Sequence, residues 1–324
     1  LQITGNGLSQ QAEPLVVKGK LDGTEWEKYL LTRGDIDLSY LAGITSANVL
    51  VQGSFGELAT KGSLDLHNEE GPFKLTLNTS NLALHQIMPD IIDSSIVNLS
   101  FEASGRGLAS GSPSARFKGL IKQSVAEHIP IDTLAFTGSY TEGSLLLDTL
   151  QLNNHSLKAA FSAYYNSEGR LKASLQADLF NTLAFESYFE QDALWDRLSL
   201  RTDLNGSIDS LYFDLTSTLS KFELDTTLLV ESLSLNSEGR LINFNPDLGF
   251  NLQASNINAA QQLIDSLRLE GGLKDSLLSV NTAAYLPNEI SLMLNAATGI
   301  GTEMVVKLSR FDLNSAISTI ATLC

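Results

Sequence analysis

The chain has 324 residues, of which 43% are hydrophobic and 18% charged, and its formal net charge is −16 at pH 7. A disordered chain would be poorer in apolar residues, and no segment clusters enough Lys and Arg to bind nucleic acid or an anionic bilayer surface. The single cysteine, Cys324, excludes an internal disulfide and any paired-cysteine metal or redox motif.

Alternation of apolar and polar residues dominates the chain from its first residues. The pattern is clearest at 73–77, 97–103, 171–179, 211–215 and 248–254. A period of two predicts β-strands with one buried face, which usually belong to antiparallel sheets. Turns are predicted between the strands at 6–7, 69–72, 142–143, 237–239 and 271–272. The sequence therefore predicts an all-β fold.

Three segments interrupt this period and predict short amphipathic helices at 87–93, 258–264 and 313–320, each after a similar phrase that ends a strand. The hexapeptide Asn-Ser-Glu-Gly-Arg-Leu at 166–171 also recurs unchanged at 236–241. These echoes predict one continuous β-repeat array over residues 1–324. Its repeat junctions are predicted near 79–93, 179–195, 256–270 and 310–324. We expect the array to be an excerpt from a longer chain.

Residues that could support chemistry are scattered. His67, His85, His128 and His155 lie far apart without the spacing of metal ligands, and neither HExxH nor GxSxG occurs. The acidic segment 203–209 has its glycine at the fourth loop position, whereas a calcium loop needs it at the sixth. We therefore expect a non-enzymatic protein with no catalytic residue, metal or cofactor.

The phrases at 79–89, 97–105 and 136–148 resemble the AsmA-like and TamB-like proteins of the Gram-negative envelope, and the resemblance covers essentially the whole chain. It implies an elongated, curled antiparallel or mixed β-sheet that forms an open, taco-like or β-helix-like groove. It also implies a periplasm-spanning protein, tethered to the inner membrane through regions outside this chain. The implied function is phospholipid transport to the outer membrane, outer-membrane protein assembly, or both. The implied partners are phospholipid acyl chains and an outer-membrane β-barrel protein.

An open groove of this kind would be lined by the apolar positions of the alternating strands, against which acyl chains could lie. The candidates for the lining are Phe73, Leu75, Leu77, Val97, Leu99, Phe101, Leu171, Leu175, Leu179, Leu211, Phe213, Leu215, Leu248, Phe250 and Leu252. Each acyl methylene moved from water to such a lining contributes about 0.8 kcal/mol.

Two other readings of the same alternation remain open. The apolar face could fill the core of a closed β-sandwich or β-helix, as in a structural or adhesive surface repeat protein without lipid cargo. Periodicity alone favours that filled core, and only the family resemblance favours the groove. An enzyme on a β-helix scaffold would need Asp, Arg or Lys clustered on one face, and the sparse basic residues argue against it.

Overall fold

The structure is a computed structural model. It describes residues 2–5, 14–26, 29–87, 95–108, 110–126, 129–180, 193–207, 209–224, 227–243, 245–259, 262–274, 277–286, 290–297 and 303–309. The chain divides into two compact units, Leu1–Glu168 and Gly169–Cys324, called unit 1 and unit 2 below. Nearly all described residues belong to strands, and every described strand pairing is antiparallel, so the predicted all-β class is confirmed.

Unit 1 is an antiparallel sheet in which most strands pair with the next strand along the chain. Its strands are β1 (Gln2–Thr4), β2 (Leu15–Trp26), β3 (Tyr29–Leu41), β4 (Ile44–Gly53), β5 (Gly56–Asp65), β6 (Pro72–Ser80), β7 (Ser95–Ile96), β8 (Leu99–Arg106), β9 (Ser114–Ala126), β10 (Ile129–Thr141), β11 (Ser144–Asn153) and β12 (Leu157–Tyr165). The short β7 pairs with β9, and β6 pairs with β8. No described pairing joins β1 or β2 to β12, so the described sheet of this unit is open.

Unit 2 repeats this plan. Its strands are β13 (Arg170–Leu179), β14 (Ala193–Leu194), β15 (Arg197–Ser207), β16 (Ser210–Leu224), β17 (Leu228–Ile242), β18 (Asn245–Ala259), β19 (Gln262–Lys274), β20 (Leu277–Leu286), β21 (Ile290–Ala297) and β22 (Glu303–Ser309). The short β14 pairs with β16, and β13 pairs with β15. In unit 1, the short β7 likewise pairs with β9, and β6 pairs with β8. The two units therefore share this arrangement of strand pairing.

The one helix in the described part of the chain is α1 (Leu84–Ile87), which meets the predicted helix 87–93 only at its last residue. The helix predicted at 258–264 is wrong, because β18 continues to Ala259 and β19 begins at Gln262. Ile257 and Ile264 pair across these two strands and pack together with Val230, which stabilises a hairpin instead. The predicted helix 313–320 and the rest of 87–93 lie outside the described residues. No described helix is long and apolar enough to cross a membrane.

Two of the predicted turns are also wrong. Residues 237–239 lie inside β17 and residues 271–272 inside β19, whereas the turns predicted at 69–72 and 142–143 are present. The glycines at the wrong positions make room for neighbours: a Cβ on Gly239 would lie 2.6 Å from Leu248 Cβ, and one on Gly271 would lie 2.5 Å from Phe250 Cζ. The turn predicted at 6–7 lies outside the described residues.

A line of left-handed residues crosses each sheet near one end of its strands. In unit 1 it includes Gly23, Asn81 and Gln123, with φ of 58°, 50° and 45°, and in unit 2 Lys221 and Asn256, with φ of 48° and 50°. Such residues kink a strand and shift its alternation. In β16, for example, the apolar positions are odd-numbered up to Leu219 and even-numbered from Phe222.

The strand ends beyond this line form what we call the folded margin of each unit. In unit 1, Leu31, Phe55 and Leu82 make a buried cluster there, against which Leu84 of α1 packs. In unit 2, Val230 and Ile257 pack on Ala254, which precedes the left-handed Asn256 in β18 and so lies outside the folded margin. The compact hydrophobic clusters of both units are therefore at one margin of the sheet and not across its width.

Candidate functional site

Directly opposite residues of an antiparallel pair share one face of the sheet, so the strand registers define the faces of unit 1. One cross-strand row runs through Ile36, Val49, Thr60, Leu77, Phe101, Gly119, Phe136, Leu150 and Phe161. Three parallel rows lie on the same face, one through Leu99 of β8 and two through Leu75 and Phe73 of β6. Neighbouring rows are two residues apart along each strand. These four rows contain no charged residue, and we call them the apolar face of unit 1.

Unit 2 has an apolar face built in the same way. One row runs through Leu175, Thr202, Leu215, Ser237, Phe250, Gly271 and Val280. The next row runs through Ala177, Leu200, Ser217, Leu235, Leu252, Leu269 and Thr282. Hydroxyl groups interrupt these rows but charges do not, and the Ser237 hydroxyl donates to the carbonyl oxygen of Gly249 at 2.9 Å.

The structure places all but one of the predicted lining residues on these two faces. Phe73, Leu75, Leu77, Leu99 and Phe101 lie on the apolar face of unit 1. Those on the apolar face of unit 2 are Leu171, Leu175, Leu179, Leu211, Phe213, Leu215, Leu248, Phe250 and Leu252. Val97 instead forms an isolated bridge with Leu82 where β8 meets the folded margin.

The apolar faces are only partly covered. The described hydrophobic residues that are buried are Leu31, Phe55, Leu82, Ala83, Ala173, Ala177, Val230, Ala254 and Ile257. They belong to the folded margins or are small alanines, while Leu38 and Leu75 on the apolar face of unit 1 remain 37% and 39% exposed. A filled core buries most of its large aliphatic side chains. The described rows therefore lack the burial of a closed sandwich.

Aromatic rings on the apolar face of unit 1 lie over glycines of the neighbouring strand. A Cβ on Gly119 would lie 2.1 Å from Phe136 Cζ, and one on Gly138 would lie 2.6 Å from Phe117 Cζ. The Phe136 ring centroid is 6.3 Å from that of Phe101 and 6.5 Å from that of Phe117. Sequence alternation did not identify Phe117 and Phe136 as lining residues, because a glycine occupies the next apolar position, two residues further along the chain. Alternating glycine and phenylalanine at equal spacing is the signal that could have found them.

The opposite face of each sheet carries the charged residues of the described strands. Several are paired across strands, as in Lys18–Asp37 at 3.5 Å, Lys118–Glu102 at 3.1 Å and Arg197–Asp178 at 2.9 Å. We call this surface the polar face. Because the described charges lie on one face only, the sheet has two chemically distinct surfaces, of which the apolar one offers an uncharged surface to an apolar ligand.

The histidines do not form a site in the described residues. Nδ1 of His85 lies 3.0 Å from the Ser95 carbonyl oxygen, an interaction that links α1 to β7. His67 and His155 lie in exposed connections, and His128 is outside the described residues. Among the residues described, no group of three or more His, Cys, Asp or Glu side chains is arranged to hold a metal ion.

Comparison with protein-family models gives no match to this chain. Comparison with curated protein sequences gives no match either. The resemblance to the AsmA-like and TamB-like proteins therefore has only the sequence phrases quoted above as its basis.

Proposed function

We propose that this chain is a non-enzymatic, lipid-binding segment of an envelope protein, and that the apolar face of each unit shields acyl chains from water. The observation that carries the proposal is the combination of continuous uncharged rows with low burial. Leu75 is 39% exposed although its row extends across the sheet of unit 1. An exposed apolar surface of this extent commonly marks a binding site for apolar ligand, partner or membrane.

The dimensions of the apolar face suit an acyl chain. Side chains on one face repeat every two residues, about 6.7 Å along a strand, so four rows span about 20 Å. One leaflet of a bilayer has a hydrocarbon thickness of about 15 Å. An acyl chain can therefore lie along the strands across all four rows. Ten methylenes with half of their surface covered would contribute about 4 kcal/mol, before the entropic cost of binding.

The two margins of each sheet favour one orientation of the lipid. The folded margin is occupied by clustered side chains such as Leu31 and Phe55 in unit 1 and Val230 in unit 2. The other margin carries tight turns such as 142–143, which expose polar backbone to water. We infer that lipid headgroups lie at the turn margin and that the acyl ends point towards the folded margin.

The cellular setting follows from the family resemblance. On that basis the segment lies in the periplasm of a Gram-negative envelope, is anchored to the inner membrane by regions outside this chain, and supports phospholipid transport or outer-membrane protein assembly. The uncharged face supports the lipid role, because hydrocarbon needs no fixed hydrogen-bonding partner. A folding outer-membrane strand would instead present backbone groups that need pairing.

The test is native mass spectrometry of the purified chain from a Gram-negative host, with lipid extraction of the same sample. The variants are Leu75→Asp in unit 1 and Leu215→Asp in unit 2, each placing a carboxylate on an apolar face. The matched controls are Thr76→Asp and Thr216→Asp, because these neighbours lie on the polar face of the same strands. Far-UV circular dichroism verifies that all four variants retain their β-structure.

We expect bound phospholipid in the wild-type chain and both controls, and at least a severalfold loss in the two apolar-face variants. A folded wild-type chain free of lipid would overturn the proposal. A lipid-free dimer that Leu75→Asp converts to a monomer would show that a second protein surface covers the apolar face, in keeping with a structural or adhesive repeat protein.

A further inference from the structure

Seven described basic side chains make an ion pair with a carboxylate. Cross-strand or same-strand ion pairs join Lys18 to Asp37, Arg33 to Asp35, Arg201 to Asp203, Lys221 to Asp196 and Arg268 to Glu270. Such local pairing is expected in a chain with 37 acidic and 21 basic residues. Several basic residues without such a pair, gathered in one place, would give a local excess of positive charge.

Such a group occurs on the polar face of unit 1, on the adjacent strands β5, β6, β8 and β9. It consists of Lys61, Lys74, Arg106 and Arg116, and together with the ion-paired Lys118 beside them we call these five exposed residues the basic patch. Lys74 and Arg116 are both cross-strand neighbours of Ser104. Glu102 pairs with Lys118 at 3.1 Å, and the other four make no ion pair with a described carboxylate.

A shallow hollow of about 520 Å³ adjoins this patch and extends from β6 across β8, β9 and β10 to β11. Lys74, Arg116 and the ion pair Lys118–Glu102 surround it, and Ser104, Thr137 and Ser139 add hydroxyl groups. Asp148 lies at its far edge on β11. The nearby Asp65 accepts hydrogen bonds from the backbone N–H groups of the turn that follows it, at 2.9 and 3.3 Å, which holds its carboxylate at the turn. The hollow thus combines two cations that make no ion pair with a described carboxylate, Lys74 and Arg116, with hydroxyl hydrogen-bond donors.

We propose that the basic patch is a docking surface for an acidic protein segment. Lys61 and Lys74 are diagonal neighbours on adjacent strands, as are Arg106 and Arg116. Such like charges repel each other, so an anionic partner would relieve an electrostatic cost that the free chain bears. The four strands span about 14 Å, wide enough for one extended segment or one helix. A flat anionic membrane would be wider and would also meet Asp35 and Asp37 on β3 and Asp148 on β11, which would repel it. A segment no wider than the patch meets fewer of these carboxylates, and Glu102 within the patch is already paired with Lys118.

The test is fluorescence anisotropy of the whole chain with a labelled octaglutamate peptide, at about 20 mM and about 300 mM salt. The variant is Lys74→Glu/Arg116→Glu. The control, Lys18→Glu/Lys20→Glu on β2, makes the same change in net charge on the same polar face but outside the patch. Vesicles of phosphatidylglycerol are tested in parallel as the alternative anionic surface.

We expect octaglutamate to bind at low salt, to dissociate at high salt, and to bind on the order of tenfold more weakly to the patch variant than to the control. The control should bind nearly as well as the wild-type chain. Absence of binding at low salt would overturn the proposal, and so would equal weakening by both variants. Patch-dependent binding to the vesicles without binding to octaglutamate would assign the surface to a membrane instead. None of these outcomes depends on whether the apolar face holds lipid.

Discussion

The same six residues adopt two different structures in this chain. At 166–171 the segment Asn-Ser-Glu-Gly-Arg-Leu begins in a tight turn, where the side-chain oxygen of Asn166 accepts a hydrogen bond from the Glu168 N–H at 3.1 Å and Gly169 has φ of 77°. At 236–241 the segment lies inside β17, and Gly239 is not among the residues with positive φ. Local sequence therefore permits both conformations here.

The partners of the second segment explain the difference. β17 pairs along its length with β16 on one side and β18 on the other, so each backbone group of 236–241 is needed in a ladder. Gly239 lies between Phe213 and Leu248, where it leaves room for large neighbours. Glycine thus serves backbone freedom in the first segment and close side-chain approach in the second.

The largest effect should come from filling the space at Gly239. Gly239→Val places a branched side chain where even a Cβ would lie 2.6 Å from Leu248 Cβ, and we expect a loss of about 3 kcal/mol of unfolding free energy. Urea denaturation followed by circular dichroism measures the loss. The control is Gly249→Val, because the nearest atom to a Cβ on Gly249 is 3.9 Å away. Equal stability of the two variants would contradict the proposed role of Gly239.

The next largest loss of unfolding free energy is expected for Gly169→Ala, and for a different reason. No atom lies within 4 Å of a Cβ at this position, but φ of 77° places an L-residue in the left-handed region. The expected loss is about 1.5 kcal/mol. Gly169→Asn should recover part of it, because asparagine tolerates this region. If alanine and asparagine give the same stability, measured by the same denaturation experiment, backbone strain is not the reason for the glycine.

The two asparagines of the repeated segment should also differ. Asn166→Ala removes the hydrogen bond that closes the turn, for an expected loss of about 1 kcal/mol. Asn236→Ala changes an exposed strand position and should remain within about 0.5 kcal/mol of the wild-type chain. Thermal melting of both variants makes the comparison, and a larger effect at Asn236 would reverse our reading of the two segments.

The smallest effect is expected at Arg240. Its guanidinium carbon lies 5.3 Å from the ring centroid of Tyr212, and Nη1 donates a hydrogen bond to the Tyr212 hydroxyl at 3.2 Å. Arg240→Lys keeps the charge but loses the planar group, for an expected loss of about 0.5 kcal/mol at this exposed cross-strand contact. The matched measurement compares the unfolding free energy of Tyr212→Leu with that of Tyr212→Leu/Arg240→Lys. Without the tyrosine ring, the substitution at Arg240 should have almost no further effect.

Most of the candidate site follows from alternation that is visible in short segments. Leu75 and Leu77, or Leu171 and Leu175, share a face because side chains two residues apart point the same way. Val97 breaks this rule, because the chain leaves regular pairing at the folded margin before β8 begins. The glycines inside β17 and β19 led to wrong turn predictions, because they leave space for Leu248 and Phe250 on the neighbouring strand.

By itself the sequence determined the strand class, the separation of polar from apolar residues, and turns such as 142–143, because each depends on neighbours within a few positions along the chain. Only the tertiary structure decided that Ala259 and Gln262 pair in adjacent strands, that Gln123 and Lys221 adopt left-handed conformations within their strands, and that Lys74 and Arg116 meet on one surface. These features depend on strand register, which joins residues far apart in the chain. A basic patch gathered from four strands therefore leaves no cluster of Lys and Arg in the sequence.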